Sequence, residues 1–225
     1  MEMRKGFLNL VLILTLTSCS NTKDMETGEI ETLKMFKQAF DKLENPKVFV
    51  DARNLLSRQQ VDAANIPVLF VELASGQNGT LVPYPGQGVG QTWLGADGAT
   101  ITMERGVLKA SRGVGDDIMG SSTSMPPWSA INTDVNSYNR KVSHLTGNNK
   151  IRTRILECKI QKSNTKETKE IWDVKFLVTK FEESCSQNDF EIKNTYYVDN
   201  QGVVRKSSQY LSDTLGSILI ERLDR

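Results

Sequence analysis

The chain has 225 residues, and its 28 lysines and arginines against 27 aspartates and glutamates leave a formal charge of +1. A balance so close to neutral gives no basic footprint for nucleic acid or for an anionic lipid surface. The length fits one domain with ample chain to bury a core.

At the amino end, Arg4 and Lys5 precede an apolar run from Phe7 to Leu16, broken only by Asn9 and Thr15 and ending in Leu16-Thr17-Ser18-Cys19. The run is shorter than the roughly 20 apolar residues that a spanning helix needs. Its cationic start, apolar middle and small-residue end are those of a secretory signal peptide. Leucine three places before the cysteine and small residues beside it make a lipobox, so residues 1–18 are predicted to be removed and Cys19 to be acylated. Each buried methylene contributes about 0.8 kcal/mol, so several acyl chains hold a protein durably at a membrane it does not cross. Ser20, where an aspartate would favour the inner membrane, points to the outer membrane. Loss of Glu2, Arg4 and Lys5 with the signal peptide brings the chain to neutrality.

Residues 19–28 read as the lipidated cysteine and a polar, flexible tether, and residues 29–225 as a single mainly-β domain. From Glu29 to Glu44 the apolar residues Ile30, Leu33, Phe36, Phe40 and Leu43 fall on one helical face, and Asn45-Pro46 ends the pattern. A second short helix is predicted over Arg58–Ala64, with Ser57 as N-cap and Gln60 completing a capping box. After Ile66-Pro67 the pattern changes to strands. Val68–Leu73 and Thr80–Tyr84 form a hairpin candidate about Ser75-Gly-Gln-Asn-Gly79. Gly88-Val-Gly90-Gln-Thr-Trp93 is no dinucleotide fingerprint, because Trp93 takes the place of the last glycine. Trp93–Leu94 and Ala99–Glu104 continue as strand and turn at Arg105-Gly106 into Val107–Ser111. Residues 112–137, rich in Gly, Ser, Pro and Asn, read as a long loop. A meander is predicted over 151–160, 171–181, 190–198, 203–211 and 217–223, with Trp172, Val174, Phe176 and Val178 on one buried face.

With Cys19 acylated, Cys158 and Cys185 remain, in a compartment that is oxidising. A bridge closing this loop contributes about 3 kcal/mol in the chain-entropy treatment. If 151–161 and 171–182 form a hairpin about 163–168, Cys158 faces Asp173 and Cys185 lies about twelve residues further on, ~40 Å along an ideal strand. A disulfide then requires the second strand to bend or stop early, and two buried free thiols are the alternative.

The chemistry is sparse. His144 is the only histidine, which excludes a multi-histidine metal site; no G-x-S-x-G elbow accompanies any serine, and His144 reads as a solvated loop residue. Asp116 and Asp117 are adjacent, so on a strand they point to opposite faces, whereas glycoside hydrolysis needs converging carboxyls. They read as turn or capping residues. Trp93, Trp128 and Tyr210 are candidate sugar or partner contacts, although core packing is the commoner role of such rings. One pattern is written twice, as Gly106-Val-Leu-Lys-Ala-Ser111 and Gly202-Val-Val-Arg-Lys-Ser207. In each copy glycine supplies a positive φ for a chain reversal, and the following residues alternate as a half-buried strand. Lys109 and Arg205, with Ser111 and Ser207, read as solvent-facing, with ligand contact the minority alternative.

The stretches Gly98–Asp117 and Asn194–Leu211 carry these two copies, and they resemble the YjbF/GfcB family of group 4 capsule polysaccharide lipoproteins. That family has a lipobox, a helical lead-in, a Leu-Phe-Val strand like that in Val68–Leu73, a T-x-x-x-x-G-r-l segment, and a closing hairpin in which tyrosine is followed by Trp or Tyr, then x-Asp-x-x-Gly-x, then Ile or Val, then Arg-x-Ser-x-Gln. The resemblance implies an antiparallel barrel-like or sandwich body with a short N-terminal helical section. It also implies an outer-membrane lipoprotein facing the periplasm that takes part in exopolysaccharide or capsule assembly or export. It supplies no catalytic residue, metal or cofactor, and names as partners the membrane, the polysaccharide and other export proteins. A glycan-binding module and a glycan-modifying hydrolase or lyase are the competing readings.

Overall fold

The computed structural model describes residues 51–225 apart from 87–89, 126, 131–136, 147 and 149. The signal peptide, Cys19, the tether and the helix predicted over 29–44 lie outside the described residues. Among the described residues the strands are β1 Leu69–Leu73, β2 Asn78–Tyr84, β3 Gln91–Gly95, β4 Thr100–Glu104, β5 Val107–Arg112, β6 Ile118–Thr123, β7 Tyr138–Leu145, β8 Ile151–Ile171, β9 Val174–Gln187, β10 Phe190–Asp199, β11 Val204–Ser212 and β12 Gly216–Arg222. They form one antiparallel sheet in the order β5-β4-β3-β2-β1-β12-β11-β10-β9-β8-β7-β6, a meander whose ends are brought round by β1 pairing with β12. The sheet curls into a nearly closed barrel in which β5 meets β6. At that seam side chains replace the ladder: Ser111 Oγ accepts from Ile118 N at 3.0 Å, and Arg112 donates to the carbonyls of Ile118 and Met119 at 2.9 and 3.3 Å. Each backbone group so satisfied avoids the cost of a buried, unpaired amide or carbonyl.

Alternation along the strands places Leu69, Leu81, Trp93, Ile101, Met103, Leu108, Leu156, Ile192, Ile218 and Ile220 in one interior core. A second core lies on the outer face of β1, β2 and β12. There Val68, Phe70, Val82 and Leu223 are covered by a 3-10 turn, Ala52–Asn54, and by helix α1, Arg58–Ala64. The capping box predicted at Ser57 is present, with Ser57 Oγ accepting from Gln60 N and Gln60 Oε1 accepting from Ser57 N, and Asn65 closes the helix in a left-handed conformation. Val61 is buried in this layer, and Arg58 donates to the Leu223 carbonyl at 2.6 Å. No helix among the described residues is long and apolar enough to cross a membrane.

The β1–β2 hairpin and strands β3 to β5 fall where the sequence places them. Three expectations are corrected. The 112–137 segment is not all loop: it contains β6 and a short helix α2, Pro127–Ala130. Its Gly/Ser-rich composition hides β6, which is held by pairing with β7 rather than by its own propensity. The strand β7 was not expected either, since two of its inward positions are Arg140 and His144. Finally, β8 runs unbroken through 163–168 as one arm of a long hairpin whose turn is Trp172-Asp173. Both turn residues have positive φ, 47° and 66°, so a two-residue hairpin turn is made without glycine. The polar stretch about Lys162–Glu170 is a strand with two wet faces, not a loop. This register puts Cys158 directly opposite Cys185, and the two are joined by a disulfide. At the hairpin tip Ile171, Trp172 and Phe176 reach the outer core, where Trp172 packs edge-on against Phe70.

Candidate functional site

Because every connection is antiparallel, successive turns alternate between the two ends of the barrel. One end carries the two repeated turns. Arg105-Gly106, with φ of 49° and 82°, reverses β4 into β5. The other reversal, Asp199–Val203, is longer: the Asp199 carboxylate accepts from Gln201 N and Val203 N, and Gly202 has φ 81°. Both glycines thus have the positive φ expected of them, in turns of different length. The turns are also packed together. A Cβ on Gly106 would lie 2.4 Å from Val204 Cγ2, and the Gln209 side chain accepts from Leu108 N and donates to the Gly106 carbonyl, each at 2.8 Å. The two copies of the pattern are therefore the two sides of one joint.

Beside this joint a cavity of about 260 Å³ is lined by Trp93, Met103, Arg105, Trp128, Val204 and Ile220 among others. Trp128, carried by α2, lies edge-on to Tyr196 and packs against the cluster of Val107, Phe181 and Val198. Deeper in the barrel sits a charged network. Arg140 on β7 and Glu183 on β9 form a buried ion pair, with Arg140 Nη2 at 2.6 and 2.8 Å from the two carboxylate oxygens. The same carboxylate accepts from the Tyr138 hydroxyl, from Tyr196 Oη at 3.0 Å and from Asn194 Nδ2 at 2.6 Å. Burial alone pushes the Glu183 carboxyl up; the Arg140 charge and the hydrogen bonds outweigh it and hold the group below the usual carboxylate range. Burial, and then the Glu183 charge, push both phenols well up, so they stay protonated donors. A carboxylate so fully occupied has no lone pair left to act as a base. It lies close to the Cys158 and Cys185 sulfurs, but those are bonded to each other, so the trio does not fit a cation.

At the opposite end are an apolar pocket of about 370 Å³, bounded by Leu73, Leu81, Ile101, Val114 and Ile218, and a polar cleft of about 260 Å³ by His144, Arg152, Arg154, Tyr210 and Asp213.

The candidate contact residues do not form one exposed surface. Trp93 is 5 % exposed and belongs to the interior core, the commoner role of such rings, so it offers no surface platform. Lys109 pairs with Glu104 at 2.9 Å on the outside of the β4–β5 hairpin. Arg205 is buried, bonded to Asp199 at 2.6 Å and to the Asp224 carbonyl at 2.8 Å, with its guanidinium over the Phe176 ring. It is a clamp on the hairpin arm rather than a solvent-facing cation, and Ser111 and Ser207 are buried as well. His144 is a buried strand residue whose Nε2–H donates to the Leu211 carbonyl at 2.7 Å, not a loop histidine. Asp117 caps the β5–β6 loop by accepting from Gly113 N and Val114 N, as its turn reading required. Arg140, Glu183 and Asn194 were not anticipated; the alternation Tyr138-x-Arg140-x-Val142-x-His144 was the available signal.

The family profile described as group 4 capsule polysaccharide lipoprotein gfcB, YjbF, matches residues 34–223, which takes in both repeated turns and the whole barrel. The chain belongs to the YjbF family. The crystal structure of the hypothetical lipoprotein YmcC from Escherichia coli (K12) superposes with a TM-score of 0.67 over 90 % of this chain and 98 % of that one, at 19 % identity. At that identity the likeness shows a shared fold. No curated protein matches the chain. In YjbF terms, the two turn segments that suggested the family are the ones that meet at the Gly106–Val204 joint.

Proposed function

We propose that this YjbF-family protein is an outer-membrane lipoprotein, anchored through acylated Cys19 and facing the periplasm, that serves capsule or exopolysaccharide assembly or export without catalysing a reaction. The observation that carries this reading is the family match over 34–223. The lipobox at Leu16–Cys19 supports the anchor, and the disulfide suits an oxidising compartment. The occupied state of Glu183 supports a structural rather than catalytic use of the most deeply buried carboxylate.

A clean deletion complemented with wild type or with Cys19→Ala tests it. Surface polysaccharide falls in the deletion strain, returns with wild type, and does not return with Cys19→Ala. Unchanged polymer in the deletion strain sinks the reading, and full rescue by Cys19→Ala removes the anchor from it.

A further inference from the structure

Inward positions of a barrel strand are ordinarily apolar. On β8 the alternation that buries Leu156 and Cys158 also turns Arg154 and Arg152 to the same face, toward the end of the barrel opposite the repeated turns. The wall is incomplete there. Strands β10 and β11 are laddered only from Thr195 to Val198 against Ser208 to Val204, so Phe190–Asn194 and Gln209–Ser212 do not pair with each other. One side-chain bond spans the gap, from Tyr210 N to Asn194 Oδ1 at 2.6 Å. A polar cleft at this end is lined by Asp116, His144, Arg152, Arg154, Tyr210 and Asp213 among others, so β11 contributes to it from the stretch that β10 leaves unladdered.

The groups are fixed before any ligand arrives. Arg154 lies 3.9 Å over the Phe190 ring and donates to Asp213 at 2.8 Å; Arg152 reaches the same carboxylate at 3.5 Å. The Tyr210 hydroxyl donates to Asp213 too, and the Tyr210 ring is wedged edge-on between His144 and Phe190. Two arginines and two aspartates cancel, so the lining has no net preference for an anion. With Asp213 occupied in holding the arginines and Tyr210, what the cleft offers is the remaining guanidinium N–H donors of Arg152 and Arg154, the Asp116 carboxylate and the oxygen of a phenol, which matches a ring whose hydroxyls both donate and accept. Asp213 is 48 % exposed at its side chain and Arg152 57 %, so both are reachable from solvent. Pre-organised partners lower the ordering cost of binding.

We propose that this cleft is a saccharide subsite that takes one sugar ring of the polymer through its hydroxyls. The inference rests on the polymer-related function proposed above and adds the place and chemistry of contact.

The test titrates the full-length lipidated protein, in detergent micelles, with oligosaccharides released by mild acid from the host's own surface polymer. Saturable binding is expected in calorimetry, weakened at least tenfold by Arg154→Ala and by Asp213→Ala. Tyr210→Phe, which removes one hydroxyl, weakens it less, and Leu177→Ser on the distant arm leaves it unchanged. If Arg154→Ala melts early, Arg154→Lys keeps the charge, removes the planar fork, and gives the same reading. Absence of binding, equal binding by wild type and the cleft variants, or displacement by inorganic phosphate each overturns the subsite. A deletion strain whose polymer defect is fully repaired by Arg154→Ala leaves the proposed function standing and removes this inference alone.

Discussion

The inner faces of the two sides of the barrel are built on different principles. Strands β12 and β1 to β4 present Ile218, Ile220, Leu69, Leu81, Trp93, Ile101 and Met103, an aliphatic wall held by shape and area. Strands β7 to β10 present Tyr138, Arg140, Glu183, Asn194 and Tyr196, with a disulfide between β8 and β9. The first wall tolerates many sequences of the right volume. The second has few solutions, because each buried polar group depends on a partner at one geometry.

The largest expected effect breaks the polar wall. Glu183→Gln strips Arg140 of its countercharge and costs about 4 kcal/mol in urea unfolding, whereas the double replacement Arg140→Met with Glu183→Leu removes both charges together but leaves the Tyr138, Tyr196 and Asn194 donors without their acceptor, and costs about 3 kcal/mol. Should the double variant be the weaker of the two, the network is a source of stability and not only of specificity. Its pH dependence follows from the depressed Glu183 carboxyl. The stabilisation is fully present above the group's ordinary value of 4.5 and is lost as the pH falls through the lower folded value. Melting temperature therefore drops below about pH 4.5 in wild type, and the double variant shows a shallower drop.

Next in size is the disulfide. Cys158 and Cys185 are 27 residues apart, and Cys158→Ser with Cys185→Ser lowers stability by about 3 kcal/mol in the loop-entropy treatment. Reductant reproduces the loss in wild type and adds nothing to the double serine variant.

The aliphatic side is broken by shape alone. Gly106→Ala meets Val204 and requires a left-handed alanine, costing about 2 to 3 kcal/mol with no dependence on pH between 4 and 8. Gly202 has the same φ but nothing within 4 Å of an added Cβ, so Gly202→Ala costs about 1 kcal/mol. Equal losses at the two glycines in thermal melts would mean that the joint between the turns is not packed as described.

The same contrast governs what could be read from the sequence. The aliphatic side was legible because its inward positions are apolar at period two, and the capping box at Ser57–Gln60 and both turn glycines follow from local chemistry. The polar side was not. Arg140 and His144 disguise β7 as a surface segment, and Glu183 is an acidic residue that only a partner across β8 makes tolerable in the interior. The arm of β8 and β9 was misread because Trp172-Asp173 turns without glycine and because Lys162–Glu170 has no apolar face. That single error moved Cys158 away from Cys185 by the length of the arm. The cleft at Arg152 and Arg154 was invisible for a different reason: it brings the ends of β7 and β8 together with Asp116, Tyr210 and Asp213, residues far apart in the chain, which no local pattern records.

The layer formed by Ala52–Asn54 and α1 is where the chain leaves the barrel toward its amino end. It is joined to the body by apolar contact with Phe70, Val82 and the tip of the β8–β9 arm, and by a few bonds such as Arg58 to the Leu223 carbonyl, not by a ladder. Mechanical load entering at Asp51 is borne first by that layer. The layer stands between residue 51 and the strand ladders, and pulling the chain from residue 51 in an optical trap is expected to show an early, reversible extension before the barrel gives way.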